Sequence, residues 1–124
     1  MRHRPDEKGM ASAMLVAPEG RHAACLSWRT DTLPCFTLWK NQAGLSDGYV
    51  TGLEPGTNFP NPRSHEESQG RVVPLAPNAS VRFDLAIEHL TGAAVEATRS
   101  RLATVAKIAP PTMHAQPRPG WSIG

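Results

Sequence analysis

Between residues 54 and 71 the chain gathers the side chains best suited to chemistry. Glu54, Asn58, Asn61, Arg63, His65, Glu66, Glu67 and Gln69 bring carboxylate, amide, imidazole and guanidinium groups into one stretch. Glu54 follows apolar Leu53 at the expected end of a strand and precedes Pro55, which restricts the backbone beside it. A carboxylate fixed there can be held against a ligand hydroxyl and tuned by burial into a general base. The plainer reading of the same residue is a surface glutamate at a strand terminus. Asn58 and Asn61 both donate and accept, and Arg63 presents a rigid donor fork, a set suited to a polyhydroxylated ligand. Asparagine also favours turns, and Arg63 serves equally well as a solvated charge or a carboxylate's partner.

Other chemistries find less support. His65, Glu66 and Glu67 are consecutive, so they cannot readily converge on one ion, and no second ligand group stands nearby in sequence; no metal site is expected. Phosphate-cradling glycine loops, HExxH, GxSxG and paired CxxC are all absent, and no cofactor is expected. The net charge of +2 comes from 13 basic and 11 acidic residues scattered along the chain, which argues against nucleic acid as a partner. No apolar run reaches the roughly 18 residues of a membrane span, and the polar start MRHRPDEKG does not read as a secretory signal, so the expected compartment is the cytoplasm. Cys25 and Cys35 are too few for a disulfide framework and read as buried thiols, although their spacing leaves a bridge across adjacent strands open.

The elements that must position these residues are short, because 10 glycines and 12 prolines interrupt a chain of 124 residues, a size that fits one domain. Residues 1–21 show no sustained period and read as a flexible arm. Strands are expected over 23–29, 33–40, 49–54 and 71–75, and over 80–90, where Val81, Phe83, Leu85 and Ile87 alternate inward against polar neighbours. Trp28, Trp39 and Phe83 read as core side chains and His89 as structural. Residues 56–70 form a long polar loop with Phe59 as their one large apolar side chain; loops of that length usually have a function. A helix is expected over 93–108, stopped by Pro110 and Pro111, with a flexible tail over 109–124. The fold class is therefore mainly β, an antiparallel sandwich with one helix near the C-terminus.

The segments GLEPGTNFPN (52–61), Arg63, QGR (69–71), LAP (75–77) and SVRFDLAIEHL (80–90) together resemble the C-terminal part of the aldose 1-epimerase (galactose mutarotase)-like superfamily. The nearest likeness is to its branch of epimerase-like proteins carrying a domain of unknown function, and it covers residues 22–108. It implies part of a large antiparallel β-supersandwich that binds a monosaccharide in an open cleft. In such enzymes a glutamate near the C-terminal end removes the anomeric hydroxyl proton and an upstream histidine protonates the ring oxygen. Glu54 falls at the position of that glutamate; Asn58, Asn61, Arg63 and Arg71 become the sugar-binding candidates. The family's full sandwich is more than twice as long as this chain, and the segment expected to carry the acid histidine precedes the likeness, so the acid role passes to none of His3, His22 and His65. The expectations are an isomerase-like piece, a truncated sugar-binding remnant or a small β-rich interaction module, with sheet edges open to self-association.

Overall fold

The computed structural model describes residues 5–108 and 112–123. Strands β1 (Met10–Val16), β2 (His22–Arg29) and β5 (Leu85–Thr91) form one antiparallel sheet in the order β1-β2-β5. A second antiparallel pair joins β3 (Cys35–Lys40) to β4 (Thr51–Gly56). Helix α1 (Arg63–Ser68) lies in the polar segment after β4, and α2 (Ala93–Ile108) follows β5 directly. No helix among the described residues is long and apolar enough to cross a membrane.

Alternation along β2 sends Leu26 and Trp28 to one face, where they pack with Ala11, Leu33 and Phe36 and draw in Ala13 and Leu53. Trp28 and Phe36 stack with ring centroids 5.0 Å apart, and the Trp28 indole N–H donates to the Leu33 carbonyl at 3.2 Å, which satisfies its one donor inside the core. The alternate side chains Ala23 and Cys25 are also buried, on the other face of the same sheet. Helix α2 lies against β1 and β5 and buries Val95 completely. The result is a helix, a three-stranded sheet and a two-stranded sheet, the mainly β antiparallel architecture expected, with two helices in place of one.

Several expectations change. The arm over 1–21 contains β1, paired along its whole length with β2. Its inward residues, Ala11 opposite Trp28 and Ala13 opposite Leu26, are too small to give a strong hydrophobic alternation, which is why the sequence hides the strand. Asp6 shapes the entry, its Oδ1 accepting from the Lys8 and Met10 backbone N–H groups at 2.9 and 3.0 Å. Residues 71–75 form no strand, and the strand expected over 80–90 begins only at Leu85. Val81, Phe83, Leu85 and Ile87 do not turn into a core: each is exposed, Ile87 by 81%. Cys25 and Cys35 are buried as expected but stand in different sheets, so the bridge across adjacent strands that their spacing leaves open does not form.

Candidate functional site

Strand β4 delivers Glu54. In the register of the two-stranded sheet Cys35 faces Gly56, Thr37 faces Glu54 and Trp39 faces Gly52, so these six residues share one face while Phe36, Leu38, Leu53 and Pro55 share the other. Phe36 and Leu53 point to the core, which leaves Glu54 on the opposite, outer face. Glu54 is exposed and has no ion-pair partner among the described residues. Its carboxylate lies back over Gly52: a Cβ on Gly52 would stand 2.3 Å from the Glu54 Oε1. Trp39, expected in the core, is instead 48% exposed on this same face.

Beyond β4 the chain turns sharply, and Gly56 permits the turn, since a Cβ there would meet the Asn58 carbonyl oxygen at 3.1 Å. The polar loop that follows is held by a residue that sequence reading passed over. Glu66, in the first turn of α1, is completely buried and accepts four hydrogen bonds. Arg71 grips it with both prongs, Nε to Oε2 and Nη2 to Oε1, each at 2.6 Å. The Asn61 amide donates to Oε1 at 2.7 Å and the Phe59 backbone N–H to Oε2 at 3.2 Å. These donors, the Arg71 guanidinium first, hold the Glu66 carboxyl down to about 2 against the opposing effect of burial.

The segment expected as a flexible tail closes over this knot. The Gly120 carbonyl accepts from Arg71 Nη2 at 2.7 Å and lies 3.3 Å from His65 Nε2, and the Trp121 carbonyl accepts from Asn61 at 3.0 Å. The Trp121 ring packs on buried Phe59 at 5.0 Å, with the Arg71 guanidinium 5.2 Å from the Phe59 ring centre. Gly120 adopts a φ of +78°, and a Cβ there would stand 2.3 Å from the Gln69 side chain, so glycine is required at the crossing.

The five residues singled out from sequence therefore separate into two groups. Glu54 stands on the outer sheet face, Asn58 is half-buried in the turn just after β4, and Arg63 is exposed at the start of α1. Among the described residues neither Asn58 nor Arg63 makes a side-chain hydrogen bond or an ion pair. Asn61 and Arg71, expected to meet a ligand, turn inward and commit donors to Glu66 and to the C-terminal segment. The five-residue spacing of Glu66 and Arg71 across Gly70 is the signal that could have paired them, because the chain reverses at Gly70 with φ +66°. Among the described residues no group of three histidines, cysteines or carboxylates could hold a metal ion.

A search for curated relatives gives no match. The crystal structure of a "putative aldose 1-epimerase" from Klebsiella pneumoniae subsp. pneumoniae MGH 78578 is similar to this chain at 38% identity and a TM-score of 0.77. The likeness covers 84% of the present chain and 27% of that one, so this chain spans about a quarter of the length of the solved relative. The family model of the domain of unknown function DUF4432 matches residues 1–89, which include β1, the outer face with Glu54 and the Glu66 knot. The chain belongs to the DUF4432 family and has the fold of the corresponding part of an aldose 1-epimerase-like β-sandwich.

Proposed function

We propose that this chain is a carbohydrate-binding piece of an aldose 1-epimerase-like protein, with Glu54 as the general base of anomer interconversion. The observation that carries this reading is the placement of Glu54 on an outer sheet face, its carboxylate lying over a glycine and open to solvent. Ring opening begins when the carboxylate takes the proton of the anomeric hydroxyl. The electron pair left on that hydroxyl oxygen forms the C1=O double bond, the C1–ring oxygen bond breaks with its pair on the ring oxygen, and a general acid delivers a proton there. Rotation about C1–C2 and the reverse sequence give the other anomer, so no cofactor is consumed.

The acid role is assigned to none of His22, His65 and His89. His22 stacks on His89 at 5.6 Å on the three-stranded sheet, His65 lies against the Gly120 carbonyl, and His3 lies outside the described residues. In this reading the acid comes from a further segment or chain, or from water at a lower rate. The ligand is a monosaccharide or a derivative of one, Asn58 and Arg63 supply polar contacts from the loop, and Asn61 and Arg71 fix that loop by binding Glu66. The cytoplasm is the compartment we assign. Residue-resolved NMR with D-galactose and D-glucose tests the binding: saturable shifts confined to residues 37–39 and 52–63 are expected, and shifts elsewhere or none would overturn it.

A second reading is favoured by the exposed apolar residues Leu85 and Ile87 on edge strand β5. They lie on the Leu26–Trp28 side of the sheet, where a further strand or layer would extend the core. In this reading the chain associates through that edge, with itself or with a longer epimerase-like chain, and its sugar site is a non-catalytic remnant.

A further inference from the structure

Trp39 is the feature of the outer face that the acid–base reading leaves unused. It is a large aromatic, 48% exposed, on a strand whose neighbouring aromatic Phe36 is buried. The side chain directly across the ladder from it is the hydrogen atom of Gly52. Glu54 stands diagonally across the same face, a separation of about 7–8 Å between backbones that a tryptophan side chain readily spans. Glycine at 52 has two effects here. It sets no side chain of its own across from the indole, and it makes room for the Glu54 carboxylate, which a Cβ would displace.

A half-exposed indole beside a carboxylate is a mixed surface, apolar over one area and a strong acceptor at its edge. A pyranose ring has the same division, C–H bonds clustered on one face and hydroxyls around its rim. We propose that Trp39 is the stacking platform for the ring of an aldohexopyranose, seating its C–H face so that the rim hydroxyl at C1 meets Glu54. Gly52 is the positioning residue that keeps platform and carboxylate on one surface. The inference rests on the sugar-binding reading above and adds to it the residue on which the ring is seated and the glycine that keeps it beside Glu54. An open-chain polyol carries the hydroxyls but has neither a rigid C–H face nor an anomeric centre, so the platform discriminates against it. The hydrophobic gain from covering half an indole is of the size that decides weak sugar affinities.

The test is equilibrium binding of D-galactose, D-glucose and galactitol to the full chain, followed through the Trp39 indole N–H signal and the Gly52 and Glu54 backbone amides. The aldoses are expected to saturate these signals, with galactitol at least about tenfold weaker. Trp39→Ala is expected to weaken aldose binding about tenfold or more, Trp39→Phe to retain most of it, and Tyr49→Ala, an exposed aromatic on the preceding loop, to change nothing. Gly52→Ala is expected to leave the fold in place, because the added methyl meets only the end of a flexible side chain, but to shift the Glu54 signals and weaken aldose binding severalfold by displacing that carboxylate. Aldose binding unchanged in Trp39→Ala, galactitol binding equal to that of galactose, or no aldose binding at all would each overturn the platform. The base reading fails separately: Trp39-dependent binding together with an anomerisation rate unchanged by Glu54→Gln would leave the platform standing and remove the base.

Discussion

Glu54 and Glu66 stand twelve residues apart in one motif-rich stretch, and their surroundings give them opposite tasks. Glu54 is exposed with no charged partner among the described residues, whereas Glu66 is enclosed by Arg71, Asn61 and the Phe59 N–H. Removing one partner of a buried ion pair leaves an uncompensated charge, so Glu66→Ala should destabilise the chain by about 3–5 kcal/mol in chemical denaturation. The same residue sets an acid limit. Its carboxyl is held to about 2 in the fold against an ordinary 4.5, so its contribution is complete above the ordinary value and disappears as pH falls from there through about 2. The thermal midpoint of the wild type should drop over that window, and Glu66→Gln, already destabilised, should show a shallower drop there. The sequence made Glu54 legible because it ends an apolar run before proline. Glu66 was harder to read, because its one local signal, the reversal at Gly70 that brings Arg71 back to it, does not by itself say which carboxylate of the run turns inward.

The elements that the sequence revealed are those with strong periodicity or clear stops. Strands β2, β3 and β4 and helix α2 lie close to where alternation, Pro55–Gly56 and the change of period after Gly92 put them. Strand β1 was hidden because its core positions are alanines, whose size is dictated by the Trp28 ring across the ladder. That complementarity is testable: Ala11, 2% exposed, has no room for a larger side chain, and Ala11→Leu should cost about 1–3 kcal/mol of unfolding free energy through overpacking. The segment over 71–84 erred the other way. Its apolar residues alternate as a strand would, yet with no partner strand to complete the ladder among the described residues it remains irregular up to Leu85. The C-terminal crossing at Gly120–Trp121 rests on contacts across 49 to 60 residues of sequence, and no local pattern encodes such contacts.

At the scale of the whole molecule the chain has the fold of one part of an aldose 1-epimerase-like sandwich, and it carries apolar surface at a sheet edge. Val81, Phe83, Leu85 and Ile87 are exposed together on or just before an edge strand, the arrangement that natural sheets usually cover or blunt. If this edge recruits another chain, the wild type should show concentration-dependent association by light scattering, and Ile87→Glu should abolish it without altering the Glu54 face. A wild type that stays monomeric across that range would contradict the association reading. The face of the β3–β4 pair opposite Phe36 and Leu53 carries Glu54 and the half-exposed Trp39, while Asn61 and Arg71 of the polar loop turn toward Glu66. The proposed function requires that Glu54 move a proton. The most direct measurement is the rate at which the purified chain interconverts D-galactose anomers, wild type beside Glu54→Gln, followed by NMR of the anomeric protons. The wild type is expected to accelerate the exchange over buffer, and the acceleration to fall by about 10²-fold in the variant, the lower end for loss of one acid–base group. A wild-type rate equal to buffer, or an accelerated rate that Glu54→Gln leaves unchanged, would contradict it.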